Sequence, residues 1–358
     1  MPTKLYTGRQ PDLALVVITR DEARCIERCL RSAAPHVRRM VVLDTGSTDD
    51  TVAIARGCGA QVHQTQWTGN FSAARNAALQ QADADWNLIL DADEWIARGA
   101  QCLRLGNSET PFLGMVQVRS DFDIGGQREQ GNTWLPRLLP RGVRYEGRIH
   151  EAPVAAVPRR RLPLVLGHDG YLASQLARKA GRNRELLQQE IQLHPDDPYL
   201  LYQLGKDHEV AGEFAPACEF YLRARPLMDP HAAYRRDASV RLLYCLSKAG
   251  RLEEAIGLSA DMMDECDGYP DYFFVLGNLM LDAAVQQPQQ ALAEWLPMAQ
   301  AAWQRCLEIG ERPEFDGVPG RGSFLAAHNL AVVHEGLDEQ AQALHYRNLA
   351  RQLRQRAD

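Results

Sequence analysis

Trp86-Asn87-Leu88-Ile89-Leu90-Asp91-Ala92-Asp93 is the stretch on which the reading of this chain turns. The apolar run Trp86–Leu90 reads as a buried strand, and two carboxylates spaced i, i+2 stand where it ends. At a strand end such a pair shares one polar site. It then supplies hard oxygen ligands to a divalent cation and its polyphosphate. Asp-x-Asp is common in surface turns, so its weight comes from the segments around it.

Those segments alternate. Leu13–Thr19 reads as a first strand and Asp21–Ser32 as a helix with Cys25, Ile26, Cys29 and Leu30 on one face. Arg39–Leu43 is the next strand, Thr48–Arg56 the next helix, Ala60–Gln64 a short strand and Ser72–Gln81 a helix. Strands interleaved with helices at this spacing predict a parallel sheet covered on both faces. Ligands of such sheets bind at the carboxyl ends of the strands. Thr19 and Arg20 follow the first strand, Asp44 the second and Asp91 the last. Three polar clusters therefore converge on one rim. Residues 111–171 read as β-rich, with strands at Gly114–Val118, Trp134–Leu139 and Val143–Arg144.

From about residue 174 the pattern changes to helices joined by short turns. Leu204-Gly205, followed by Ala217, Tyr221 and Ala224, matches the small-and-large pattern of tetratricopeptide repeats, in which two helices pack closely. Leu242–Ala255 is a looser copy with the turn Ala249-Gly250-Arg251. Leu276-Gly277 opens a third whose turn is stretched at Gln286–Gln290, and Leu330–Ala350 closes a fourth. Glu311–Gly322 reads as a loop between the last two.

Composition sets the bounds. A chain of 358 residues, 45% hydrophobic and 24% charged, has an ordinary globular balance and room for two domains. The net charge of −6 gives no support for nonspecific nucleic-acid binding. Residues 1–171 carry 21 Lys+Arg against 19 Asp+Glu, and residues 172–358 carry 19 against 27. The acidic second half argues against docking on anionic lipid. No run approaches the eighteen or so apolar residues of a membrane span, and Met1-Pro2-Thr3-Lys4 leads into no signal-type segment. The eight cysteines show no metal-like grouping. They read as buried residues and free thiols of a reducing compartment, so the cytoplasm is the expected location.

In order along the chain, the motifs then make a recognisable set. Val41-Val42-Leu43-Asp44-Thr45-Gly46-Ser47-Thr48-Asp49-Asp50-Thr51 resembles the second strand and loop of family 2 glycosyltransferases of the GT-A fold. Ser72-Ala73-Ala74-Arg75-Asn76 is similar to the helix that follows in that family, and Asp91-Ala92-Asp93-Glu94 to its metal-binding motif. Ile149-His150-Glu151 resembles a late histidine motif of one branch. His168-Asp169-Gly170-Tyr171 and the repeats resemble the branch with C-terminal tetratricopeptide repeats, to which some bacteriocin S-glycosyltransferases belong. The resemblance implies an α/β GT-A nucleotide-diphospho-sugar transferase domain over residues 1–172. An all-α repeat solenoid over 173–358 would follow.

It also implies a metal-dependent, inverting transfer of a sugar from a nucleotide diphosphate, with UDP expected, and Mn²⁺ or Mg²⁺ as the ion. The acceptor would be a peptide, protein or glycan, and the repeats would hold it or form a homodimer. Thr19, Arg20, Glu22, Asp44, Arg75, Asp91 and Ala92 would line the donor site. Asp44 suits a uracil N–H or a cap of the helix after it, although Ser47 and Thr48 serve as caps better. Arg75 sits in the first turn of its helix, where positive charge is unfavourable. It therefore calls for a partner: the base, a phosphate or Asp44. Asp91 would contact ribose, and Asp93 with His150 would hold the metal. Glu151 would be the general base or would orient His150. His168 would cap the site or anchor the domain junction.

The chain departs from the family pattern at Asp21, where Asn is frequent. It also lacks a Glu-Asp pair after Asp93 at the usual place of the base, and a Gln-x-x-Arg-Trp. The second absence argues against a processive polysaccharide synthase. Alternatives are a lipopolysaccharide-core or capsule glucosyltransferase and a repeat scaffold whose transferase domain is inactive. A nucleotidyltransferase on a related sheet lacks the Gly-rich phosphate loop here.

Overall fold

Leu13–Thr19 (β1) becomes an inner strand of a sheet in the computed structural model, which describes residues 11–106, 110–124, 127–171 and 182–357. Arg39–Asp44 (β2) and Trp86–Asp91 (β4) pair with it in parallel on either side, and Gln61–Gln64 (β3) continues the sheet beyond β2. Both faces are covered, so these strands read as continuous apolar runs. The two faces still separate by alternation. Leu13, Leu15, Val17, Met40, Val42, Leu88 and Leu90 pack with Ile26, Cys29, Leu30 and Ala33 of α1 (Ile26–Ala33) and Ala55 of α2 (Thr51–Gly57). Ala14, Val16, Val41, Leu43 and Ile89 pack with Ala74, Ala78 and Ala82 of α3 (Phe71–Ala82).

Helices α1 and α2 begin later than their periodicity predicts, at Ile26 and Thr51. The loops after β1 and β2 are laced together instead. Asp21 N–H donates to Ser47 Oγ (2.9 Å), Glu22 N–H to Thr51 Oγ1 (2.8 Å), Ala23 N–H to Asp49 Oδ2 (3.1 Å) and Thr48 N–H to Asp21 Oδ1 (2.7 Å). Short polar side chains here offer the backbone an alternative to the helical ladder.

Beyond β4 the sheet becomes mixed. The remaining strands are β5 (Glu94–Arg98), β6 (Leu113–Ile124), β7 (Gln127–Pro140) and β10 (Arg159–Tyr171). The order across the eight strands is β3-β2-β1-β4-β7-β6-β10-β5. β7 runs antiparallel to both β4 and β6. β10 is parallel to β6 and antiparallel to β5. No α-helix lies between β4 and β10 among the described residues, so β7 turns back antiparallel on β6, and the long connection from β6 to the parallel β10 runs through β7, β8 and β9 instead of a helix. A small hairpin, β8 (Arg144–Glu146) and β9 (Ala152–Val154), stands apart.

The chain divides into two units, Met1–Leu186 and Leu187–Asp358. The expected boundary at 172/173 lies outside the described residues. Helix α4 (Arg182–Leu193) spans the division. Four helical hairpins follow. They are α5 (Pro198–Val210) with α6 (Phe214–Ala224), α7 (Arg235–Lys248) with α8 (Leu252–Met262), α9 (Pro270–Gln286) with α10 (Leu296–Ile309), and α11 (Phe324–Gly336) with α12 (Gln340–Ala357). Asp197 caps α5, accepting from Tyr199 N–H (2.8 Å) and Leu200 N–H (3.0 Å), with Pro198 in the first turn. The stretched turn of the third hairpin follows Gln286, with Gln290 N–H donating to Gln287 O (3.0 Å), and a π-helical turn at Ala291–Trp295 comes after it. All eight cysteines are free thiols, six of them buried. Among the described residues no helix is long and apolar enough to cross a membrane.

The glycines of Leu204-Gly205 and Leu276-Gly277 are needed for close approach. A Cβ on Gly205 would sit 2.5 Å from the Tyr221 ring, and one on Gly277 would sit 2.4 Å from Trp303. Gly277→Val should therefore destabilise the chain by about 1–3 kcal/mol through overpacking. Gly257→Ala, in helix α8 with open space around its Cβ position, should be neutral or stabilising. Urea unfolding of both variants tests this, and equal midpoints would contradict the packing account.

Candidate active site

The register of the parallel strands brings Thr19 level with Asp44, and Ile18 level with Asp91. Asp91 closes β4 at the carboxyl rim and is the hub of a charged network. Arg75 projects from α3, whose start is set by Asn70 accepting Ala73 N–H (2.9 Å). Its Nη2 donates to Asp91 Oδ1 (2.6 Å), and its Nε donates to Glu151 Oε1. Arg137 reaches in from β7. Its Nη2 donates to Asp91 Oδ2 (2.7 Å) and to Glu94 Oε1 (2.5 Å). The other Glu94 oxygen accepts the Asp91 N–H at 3.0 Å.

Burial gives this network its character. Arg75, Arg137 and Glu94 are 8%, 7% and 2% exposed, whereas 35% of the Asp91 side chain faces solvent. Asp91 is thus the open edge of an otherwise enclosed cluster. Burial alone would raise its pKa. Arg137 and then Arg75 outweigh burial and hold the carboxyl well below the usual carboxylate range. Burial pushes Glu94 up, with the neighbouring Asp91 charge adding to it and Arg137 opposing. Burial also pushes the Tyr145 phenol up to about 12. Arg75 Nη1, Arg137 Nε, Tyr145 Oη and Thr19 Oγ1 are buried polar atoms without a hydrogen-bond partner among the described residues.

Asp93 sits in the turn after β4 and is 4% exposed. Its Oδ2 lies 3.5 Å from His168 Nε2, and His168 Nδ1 lies 2.9 Å from Ser120 Oγ. Burial lowers the His168 pKa, but the hydrogen bond and charge of Asp93, with Glu94 and Asp91 behind, raise it on balance. Gly170 backs this pair. A Cβ there would sit 2.4 Å from both Asp93 Oδ2 and His168 Nε2. Asp169, between His168 and Gly170 in sequence, pairs with Arg24 and Arg28.

Asp44 is fully buried and accepts from Gly46 N–H (3.2 Å) and Ser47 N–H (3.2 Å), so its carboxylate shapes its own loop. Arg75 pairs with Asp91 and Glu151 rather than with Asp44. Glu151 is engaged by Arg75. Thr19 is buried and its carbonyl accepts Thr45 N–H (2.9 Å), while Arg20 is exposed beside Asp21 (3.8 Å). Glu22 accepts from Cys25 Sγ (3.1 Å). Ala92 is buried in the turn, and His150 adopts a left-handed backbone (φ 51°). Sequence reasoning missed Arg137 and the bracing part of Glu94. The available signal was one charge inside the apolar run Trp134–Leu139.

The fit of these residues to a divalent ion is partial. Among the described residues no group of three or more His, Cys, Asp or Glu is gathered for a metal. Asp93 with His168 offers one hard oxygen and one imidazole. Such a set suits an ion that takes its other ligands from substrate phosphate and water.

Residues 14–150 match the family model for glycosyl transferase family 2. A TPR repeat-containing protein of Synechococcus elongatus is 32% identical over 258 residues, covering 68% of this chain and 64% of that protein. The SPbeta prophage-derived glycosyltransferase SunS of Bacillus subtilis is 28% identical over 218 residues, covering 55% of this chain and 49% of SunS. An uncharacterized glycosyltransferase of Rickettsia felis is 37% identical over 89 residues, covering 25% of this chain and 31% of its own. The chain thus spans about half to two thirds of the length of the first two relatives.

The depressed Asp91 pKa sets a pH window. A carboxylate whose pKa is lower folded than unfolded contributes stability that is complete above the unfolded value, about 3.9, and is lost as pH falls toward the folded one. The stability difference between the wild type and Asp91→Asn should therefore be constant from pH 5 to 8 and shrink below about pH 4. Urea titrations at several pH values measure it. A difference unchanged at pH 3 would mean that Asp91 is not the charged hub.

Proposed function

We propose that this chain, whose first unit carries a family 2 glycosyltransferase domain, transfers a sugar from a UDP-sugar to a peptide, protein or glycan acceptor with the help of a divalent cation. The observation that carries the reading is the pairing of Asp93 with His168 beside Asp91, at the carboxyl end of β4. An ion of the Mn²⁺ or Mg²⁺ type would neutralise the departing diphosphate.

The chain's own residues divide the remaining work. Asp91, ionised and partly open to solvent, can accept from donor hydroxyl groups while two arginines fix its direction. Asp93 and His168 supply the protein ligands. His150 remains a candidate through its motif, and His168 stands with its Nε2 3.5 Å from Asp93 Oδ2. Asp44 is assigned to the base-binding loop, acting through the Gly46–Ser47 backbone that it holds. Glu151 is assigned to holding Arg75 rather than to taking the acceptor proton. Positioning and charge stabilisation would supply most of the acceleration. The helical hairpins of the second unit are the surface assigned to the acceptor.

Purified protein incubated with Mn²⁺ and each common UDP- or GDP-sugar should release nucleotide from a UDP-sugar, and EDTA should stop the release. Asp93→Asn should keep the wild-type melting temperature and lose turnover by about 100-fold or more. His168→Ala should lose more than His150→Ala. Turnover that survives both EDTA and Asp93→Asn would sink the metal assignment. Release from no nucleotide sugar would sink the transferase reading.

A further inference from the structure

Arg137 stands inside the apolar run Trp134–Leu139, where a leucine would fill the same strand position without a buried charge. Its single Nη2 touches two carboxylates, Asp91 Oδ2 at 2.7 Å and Glu94 Oε1 at 2.5 Å. Glu94 Oε2 accepts the backbone N–H of Asp91 at 3.0 Å. These contacts form a closed ring: guanidinium, Asp91 carboxylate, Asp91 backbone, Glu94 carboxylate, guanidinium. The ring joins residues i and i+3, and the two residues between them, Ala92 and Asp93, form the turn. Glu94 is also level with His168 across the β5–β10 pair. One brace therefore reaches both members of the Asp93–His168 pair.

A role in stability alone does not account for this choice of residues. A buried ion pair is weak support for a fold, because a well-packed apolar pair of similar volume is often as stable. What the apolar pair cannot do is hold a turn by hydrogen bonds at both corners. A guanidinium presents several donors in a fixed plane and keeps its charge.

We propose that Arg137 is a positioning residue: by bridging Asp91 and Glu94 across the turn, it fixes where Asp93 presents its carboxylate to the ion and diphosphate of the donor. This rests on the metal-dependent UDP-sugar reading given above. Arg137 meets no donor atom itself in this role. It acts through the turn.

Calorimetric titration of UDP with and without MnCl2 tests the role. It uses the full-length wild type, Arg137→Met, Arg137→Lys and the double variant Glu94→Met/Arg137→Met. In the wild type, Mn²⁺ should strengthen UDP binding. In Arg137→Met and in the double variant, metal-free UDP affinity should fall only as far as Asp91 loses its direction, while the ratio of the affinities with and without Mn²⁺ falls further, by about tenfold or more. Arg137→Lys, which keeps the charge but not the planar fork, should recover part of that gain. The double variant removes both buried charges at once, so it tests the role even if Arg137→Met is too unstable to measure. A double variant that melts like the wild type and keeps the full Mn²⁺ gain would reduce Arg137 to a structural residue. A wild type that binds UDP with no gain from Mn²⁺ would overturn the metal reading and this role with it. A wild-type gain that is lost in the variants supports both.

Discussion

Asp91 is held between two buried guanidiniums, and much of the first unit is arranged so that this can happen. Arginine stays charged in a protein interior and presents only donors. Each buried guanidinium must therefore be met by carboxylates, and here each meets two. Asp91 serves both, Glu151 serves Arg75, and Glu94 serves Arg137. The contributors come from α3, β4, β7, the start of β5 and the segment before β9. The antiparallel placement of β7 beside β4 is what brings Arg137 within reach. The change from parallel to antiparallel pairing thus falls at the strand whose end carries Asp91.

The parallel half of the sheet was legible because its strands are buried on both faces, so their apolar runs end where polar residues begin. Leu13–Thr19 is read to the residue, and β2, β3 and β4 differ from expectation by one residue at an end. The mixed half was less legible for the same physical reason. Long strands such as Leu113–Ile124 and Gln127–Pro140 carry charges and polar residues among their apolar positions. Neither their length nor their pairing direction follows from a local pattern. In the site, the chemical types were readable and the pairings were not. Arg75 showed in advance that it needed a partner, because a helix first turn disfavours its charge. Which carboxylate would meet it depended on Glu151, 76 residues away.

Asp21 illustrates how a departure from a family pattern can be conservative. Its backbone is left-handed (φ 54°), a conformation that Asp and Asn tolerate better than other side chains. Its Oδ1 accepts from Thr48 N–H at 2.7 Å. An Asn would offer a carbonyl oxygen in the same place. What the position requires is a short acceptor on a left-handed backbone, which ties the loop after β1 to the loop after β2. Those two loops follow directly on Thr19 and Asp44, so the lacing ties together the strand ends that form the rim.

The repeats show a related division between what backbone and side chain specify. In three hairpins the same backbone bond closes the turn: Glu213 N–H to His208 O, Arg251 N–H to Leu246 O and Glu339 N–H to His334 O, each 2.9 Å. Each turn also contains one residue of positive φ, at Gly212, Gly250 and Asp338. The first and last copies share more. His208 pairs with Glu213 and stacks on Phe220, and His334 pairs with Glu339 and stacks on Tyr346, at identical spacing. The middle copy keeps the turn with Leu246 and Arg251 in place of those side chains. A turn that survives such replacement is held by its backbone bond and its left-handed residue, not by the imidazole and carboxylate. Side-chain matching therefore makes the second copy look looser than its geometry. The third hairpin departs in its backbone, since the π-helical turn Ala291–Trp295 displaces the start of α10.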